Sequence, residues 1–455
     1  MTELQETQER ASQSSIMDGN SFKPANIGLL SEGDQALVAR RDQSLGTSYR
    51  LFYRRPVHAE RALGCYIFDD EGTRFLDAYN NVASVGHANP RVVAAVSAQL
   101  ATLNTHTRYL QEGILAYSEQ LLATFPSHID RLMFTNSGSE SNDLAIRVAR
   151  LWTGGTGIVV TAEAYHGTTE LLSRVSPAIS GGFPDDPSVR VIPAPDTFRV
   201  EAEDIGAWFA GEVRAAFDDM LANGITPAAF LADSIFSSDG IFPAPSGYLK
   251  PVVDVVHEYG ALFISDEVQP GFCRTGEAFW GFMRHGVEAD LVTTGKPMGN
   301  GVPVSALAGR GEILARFGDE IPYFNTFGGN TVSIAAAQAV LDFIQDENLL
   351  TSVARIGALL KERIAELQPR FPAMADVRGV GLYIGAEIVK PGSTEPDSAL
   401  ALAIVNGMRE RQVLISVAGP GNNVLKIRPP LVFGDEELEL FMTAFESTLE
   451  ELAAP

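Results

Sequence analysis

The chain has 455 residues, 45% hydrophobic and 20% charged, which excludes a largely disordered polypeptide and provides for two or three domains. Lys and Arg number 34 against 57 Asp and Glu, a formal net charge of −23, which argues against nucleic acid or an anionic membrane as partner but still permits a local basic pocket. Cys65 and Cys273 are too few for a disulfide framework, the histidines form no pair at metal-ligand spacing, and no apolar run reaches the ~20 residues needed to span a bilayer, so no zinc site and no membrane segment is expected.

Residues 1–46 read as a mobile arm with one short helix near Asp34–Arg41. Met1–Asn20 lacks the basic start and apolar stretch of a signal peptide, so a cytoplasmic location is expected. Tyr66–Leu76 alternates around Asp69-Asp70-Glu71-Gly72 and predicts a hairpin. Asn89-Pro90 opens a predicted helix over Arg91–Leu103. Short apolar strands then alternate with helices: Leu132–Phe134, helix Ser141–Trp152, Ile158–Val160, Ala229–Leu231, helix Pro251–Tyr259, Ala261–Ile264 and Leu291–Val292. That order predicts a mostly parallel α/β sheet with both faces covered, whose ligands bind at the carboxyl ends of the strands. Helices Val332–Ile344 and Leu349–Leu367 follow. Strand character returns over Asp376–Val389, with a further strand pair at Val413–Ser416 and Val424–Ile427 and a last helix over Asp435–Leu452. The expected division is a segment 47–75 joining a small domain, a large domain 76–335, and a smaller α+β domain 336–455.

Four polar groups follow strands. Ser137-Gly138-Ser139-Glu140 has capping-box spacing, and a helix N-terminus opened by glycine favours phosphate. Tyr165-His166-Gly167 offers an aromatic face for a flat ring. Asp266, in Ile264-Ser265-Asp266-Glu267, needs a cationic partner if buried, and a protonated ring nitrogen would serve. Lys296, in Thr294-Gly295-Lys296-Pro297, is flanked by glycine and apolar residues, and desolvation would make its amine a nucleophile or base. The same segment fails the Walker pattern, because Asp290 and Pro297 stand where Gly and Ser or Thr are required. Read singly, the first is better explained as an ordinary capped helix, the second equally well as a turn with a half-buried tyrosine, and the third also as an internal salt bridge. Together they describe pyridoxal phosphate: a phosphate, a ring, a ring nitrogen and an aldehyde.

At these residues the chain resembles the class III aminotransferase family, of the fold type I pyridoxal-phosphate architecture. The resemblance runs from about Leu51 to Leu452, through NVASVGHANP (Asn81–Pro90), FTNSGSESND (Phe134–Asp143), AYHG (Ala164–Gly167), SDEVQPGFCRTG (Ser265–Gly276), TGKPMGNG (Thr294–Gly301) and FNTFGGNT (Phe324–Thr331). It implies that Lys296 forms the Schiff base with the cofactor and that Asp266 pairs its ring nitrogen. Tyr165 and Val268 would bracket the ring, with Gln269 near the ring hydroxyl. Gly138 and Ser139 would form the phosphate cup, with Ser137, His166 and Asp233 also among the cofactor-binding residues. Thr326 would reach the phosphate from a neighbouring subunit, implying a homodimer with shared active sites.

Two departures carry information. Asp233 stands where many members have Glu, so it fits a cofactor role and a loop cap equally. Lys426, in Leu425-Lys426-Ile427-Arg428-Pro429-Pro430, stands where members binding an α-carboxylate often have Arg, and lysine as a point charge also suits phosphate. With Asn104–Leu110, this segment resembles the ethanolamine-phosphate phospho-lyase branch, which implies a small, phosphorylated primary amine as substrate. Arg108, Tyr109, Lys426 and Arg428 are then the expected substrate residues. The reaction implied begins with Lys296 removing the proton from the carbon bearing nitrogen and ends with loss of phosphate. The alternatives are an omega-transaminase passing the amino group to pyruvate or another keto acid, and a catalytically silent binding protein. Retention of Lys296, Asp266 and the phosphate cup argues against the silent reading.

Overall fold

Three β-sheets carry the architecture of the computed structural model, which describes residues 18–179, 186–243 and 245–453. The first 17 residues of the expected arm lie outside the described residues. The helix expected at Asp34–Arg41 is longer, Glu32–Ser44, because Ser31 caps it by accepting from the Asp34 N–H at 3.1 Å. Strands β1 (Ala59–Leu63), β2 (Tyr66–Asp69) and β3 (Arg74–Asp77) form an antiparallel meander.

The central sheet holds β4 (Arg131–Thr135), β5 (Gly157–Thr161), β6 (Val189–Ile192), β7 (Pro227–Ala232), β8 (Leu262–Asp266), β9 (Leu291–Thr293) and β10 (Ser305–Gly309), in the order β4-β10-β9-β8-β7-β5-β6. All neighbours pair parallel except β10, which is antiparallel to both β4 and β9. Its interior strands are buried on both faces, which is why they read as apolar runs rather than alternations. Ile158, Val160, Leu231 and Ile264 pack on one side with the helix Gly138–Thr153. Val159, Phe230 and Phe263 pack on the other, against the helices Ile205–Ala222 and Lys250–Glu258.

The third sheet uses β11 (Met374–Val380), β12 (Tyr383–Ile388), β14 (Ser416–Ala418) and β15 (Val424–Ile427), in antiparallel order β11-β12-β15-β14. Here the sequence expectation needs correction. Val413–Ser416 does not pair as one strand with Val424–Ile427. It divides at Ile415: β13 (Val413–Leu414) runs parallel to β3 in the first sheet, and only Ser416–Ala418 pairs with β15. Strands β6 and β10 and the helices Glu112–Leu122, Ile205–Ala222, Gly311–Glu320 and Ser398–Glu410 were not anticipated from the sequence. Among the described residues no helix is long and apolar enough to cross a membrane.

Candidate active site

The carboxyl ends of β4, β5, β7, β8 and β9 open on a cavity of about 310 Å³, lined by Ser137, Gly138, Ser139, Tyr165, His166, Asp233, Asp266, Val268, Gln269 and Lys296 among others. Parallel strands deliver their loops to one edge, so residues far apart in sequence converge there.

The Gly138–Thr153 helix begins at the cavity wall. Ser137 Oγ accepts from the Glu140 N–H at 3.2 Å, but Glu140 turns its Oε2 to the Asn136 N–H at 3.0 Å, so only half of the expected capping box forms. The N–H groups of Gly138 and Ser139 have no partner among the described residues and lie in the first helical turn, where none is available within the helix. Side chains at the neighbouring glycines would close this cradle: a Cβ on Gly138 would lie 3.0 Å from Val268 Cγ2, and one on Gly167 would lie 2.6 Å from Ser139 Oγ.

Asp266 ends β8 and is buried. Its Oδ2 accepts from Asn142 Nδ2 and from His166 Nδ1, each at 2.8 Å, and its Oδ1 accepts from the Val268 N–H at 3.1 Å. With Nδ1 committed to Asp266, the other ring nitrogen of His166, Nε2, is buried without a partner among the described residues. Asn142 was missed by the sequence reading. It is buried one helical turn beyond Ser139, accepts from Thr293 Oγ1 at 2.6 Å, and also donates to the His166 carbonyl at 2.8 Å. Its signal was a polar amide on the apolar face of an amphipathic helix. Glu267, also unassigned, is fully buried and accepts from Ser234 and Ser265 hydroxyls and from the Gly281 and Phe282 N–H groups. Burial pushes its carboxyl up to about 7.

Lys296 follows β9 and sits 5.9 Å from the Tyr165 ring centroid. Its amine has no hydrogen-bond or ion-pair partner among the described residues. Burial, then the Arg428 charge, lower its pKa to about 8 against the opposing pull of Asp266 and Asp233. Burial, then Asp266, raises the Tyr165 phenol. Asp233 accepts from the N–H groups of Ile235 at 2.8 Å and Ser237 at 3.1 Å, so it caps its loop while lining the cavity. Burial holds its carboxyl above the ordinary range.

Lys426 lies on β15, opposite Gly385 of β12 and Ser416 of β14. Its ammonium has no hydrogen bond and no ion pair among the described residues. Burial lowers its pKa to about 7, helped by Arg428 and Lys296 and opposed by Asp233. Arg428 is buried and engaged, with Nε donating to the Tyr79 carbonyl at 2.9 Å and Nη1 to Gln269 Oε1 at 2.7 Å.

Lys426 and Arg428 do not line the cavity themselves and reach it through their charges on Lys296 and through Arg428's bond to Gln269, whereas three other expected site residues do not join this group within the chain. Arg108 is exposed, its guanidinium 3.9 Å from the Phe324 ring centroid, and is not among the charges that act on Lys426. Tyr109 stacks on His106 with ring centroids 5.2 Å apart, and Thr326 is exposed and does not line the cavity. All three belong to one surface that also exposes Leu110, Phe324 and Phe327.

Comparison with known proteins gives a consistent result. The model of the aminotransferase class-III family matches residues 52–449. An alanine–glyoxylate aminotransferase 2-like protein of Drosophila melanogaster is 39% identical over 90% of this chain and 86% of its own. The ethanolamine-phosphate phospho-lyase homolog 1 of Caenorhabditis elegans is 37% identical over 91% of this chain and 93% of its own. Among solved structures, an Arthrobacter phospholyase in complex with phosphoethanolamine superposes with a TM-score of 0.89 at 42% identity, covering 91% of this chain and all of that one.

Proposed function

The chain belongs to the class III aminotransferase family and is a pyridoxal 5′-phosphate-dependent enzyme; from that premise we propose that it eliminates phosphate from a small phosphorylated primary amine of the O-phosphoethanolamine type. Water completes the balance: phosphoethanolamine and water yield acetaldehyde, ammonia and inorganic phosphate, with no keto acid consumed. The observation that carries the reading is Lys426, a partly buried cation with no carboxylate partner among the described residues, backed by a second cation, Arg428. An unpaired charge in such a place is costly unless an anion arrives to meet it.

The cavity fits the cofactor: two free N–H groups at a helix start for its phosphate, a glycine cradle that a Cβ would fill, a held carboxylate and an unpartnered amine. Pyridoxal phosphate supplies, when bound, an aldehyde for an amine and a protonated ring that takes up electron density from the carbon bearing nitrogen. Gly138 and Ser139 N–H groups and the Ser137 and Ser139 hydroxyls hold the phosphate end. Asp266 would hold a proton on the ring nitrogen, and Asn142 and His166 fix the carboxylate's position for it. Tyr165 and Val268, which line the cavity, would bracket the ring and so restrict which substrate bond is aligned for cleavage. Lys296, its pKa drawn down towards neutrality, takes the proton from the carbon bearing nitrogen. Lys426 stabilises charge on the departing phosphate oxygen, the electrostatic contribution that is usually largest in such steps. In this reading two copies share their active sites across the surface of Tyr109, Leu110, Phe324 and Phe327, and each supplies Thr326 and Arg108 to the other.

The test is incubation of the holoenzyme with phosphoethanolamine and no keto acid, measuring phosphate and acetaldehyde. Many turnovers are expected. Absence of phosphate, together with amino transfer to pyruvate from a simple amine, would replace this reading with the transaminase one, which the 39% identical aminotransferase-like relative supports.

A further inference from the structure

Gln269 lies three residues beyond the end of β8 and faces the cavity beside Asp266 and Lys296. Its Oε1 accepts two hydrogen bonds at 2.7 Å each, from Asn81 Nδ2 and from Arg428 Nη1. A guanidinium can only donate, so the end of the amide that meets Arg428 must be its oxygen. The Gln269 Nε2 group is then directed away from Arg428, and it has no partner among the described residues. Arg428 is itself tied down. Its backbone N–H donates to the Ala78 carbonyl at 2.7 Å and its Nε to the Tyr79 carbonyl at 2.9 Å. The guanidinium lies 5.0 Å from the Tyr79 ring centroid and 5.5 Å from that of Tyr383. One buried side chain thus joins the loop after β3, the end of β8 and the end of β15.

We propose that Arg428 is a positioning residue for the cofactor ring that acts through Gln269, locking its amide so that Nε2 donates into the cavity at the ring oxygen. The proposal rests on the cofactor reading of the site and is independent of whether phosphate elimination or transamination follows. Sequence reading placed Arg428 among the substrate ligands. The structure gives Nε and Nη1 to protein acceptors instead and leaves the unpaired charge on Lys426. An amide donor at the ring oxygen favours the anionic oxygen, so its loss makes the cofactor's chromophore hold its proton to higher pH. Removing the Arg428 charge acts in the same direction through space, so a single variant does not separate the two routes.

A double-mutant cycle does. The visible absorption of the bound cofactor is titrated with pH in wild type, Arg428→Met, Gln269→Leu and the double variant. Arg428→Met is expected to raise the midpoint by about one pH unit, a tenfold change in the proton equilibrium, and to raise it clearly less in the Gln269→Leu background, where only the through-space effect of the lost charge remains. Arg428→Lys, able to keep one donor to Gln269, is expected to return part of the shift. An equal shift in both backgrounds, or none in wild type, overturns the proposal. Should Arg428→Met not take up cofactor, Arg428→Gln runs the same cycle with the same criteria. A wild type that takes up no cofactor and stays colourless sinks the cofactor reading of the site, a result distinct from an additive cycle.

Discussion

Replacing Lys426 by methionine keeps an apolar stem of similar length and removes the charge. In the free site the ammonium has a pKa of about 7, so at pH 7 half of the molecules already carry it and completing the charge costs ~0.4 kcal/mol. A cation about 4 Å from a phosphate oxygen is worth ~4 kcal/mol at an effective dielectric constant of 20, and loss of one well-placed stabilising group lowers turnover by ~10²–10³-fold. Lys426→Met should therefore lower kcat/KM for phosphoethanolamine by ~10²–10³-fold at pH 7. Exchange with an unphosphorylated amine should change only a few-fold, because the variant also removes a like charge from Lys296. The pH profile gives a second reading. Lys426 is depressed, so its charge is present below about pH 7 and lost above it, and holding it at pH 9 costs ~2.7 kcal/mol. Wild-type kcat/KM should lose up to ~50-fold between pH 7 and pH 9 from this group, and the variant should lack that limb. Continuous phosphate-release kinetics across pH 6–9 decide it. A variant within tenfold of wild type at pH 7, or one keeping the same alkaline limb, would refute the assignment.

Gly138→Ala places a methyl 3.0 Å from Val268 Cγ2, and overpacking costs ~1–3 kcal/mol. Cofactor titration should show at least tenfold weaker binding. Asn142→Ala strips Asp266 Oδ2 and the His166 carbonyl of a donor and leaves the Thr293 hydroxyl without its acceptor. Denaturant unfolding should register a loss of ~1–3 kcal/mol per buried group left unpaired, and the visible band of the holoenzyme should move with the freed carboxylate. Glu267 has a folded pKa raised to about 7, so it binds a proton in the native state before it does when unfolded, and its contribution to stability falls as pH rises from about 4.5 to 7. Glu267→Gln removes that slope. The variant's stability relative to wild type should improve by up to ~3 kcal/mol across this window, and a constant difference would show that the carboxyl does not titrate there.

By itself the amino-acid sequence determined the strand–loop–helix alternation, because strands buried on both faces must be apolar runs while the loops at their carboxyl ends are free to be polar. The chemistry-bearing positions Lys296, Asp266, Tyr165 and Ser137–Ser139 were legible for the same reason: each is a polar residue held at the end of an apolar strand, where an ordinary turn does not need it. Strand order was not legible. The insertion of β10 antiparallel between β4 and β9, and the division of Val413–Ser416 between two sheets, depend on long-range pairing that no local pattern encodes. The same limit hid Asn142, Asn81 and Glu267, whose partners lie 124, 188 and 33 residues away. Only the tertiary structure separated Lys426 from Arg428. Two cations one residue apart on either side of Ile427 look equivalent in sequence, yet packing gives Arg428 to the Tyr79 carbonyl and Gln269 and leaves the Lys426 charge unmet, because hydrogen-bond acceptors are distributed by the fold and not by the chain around them.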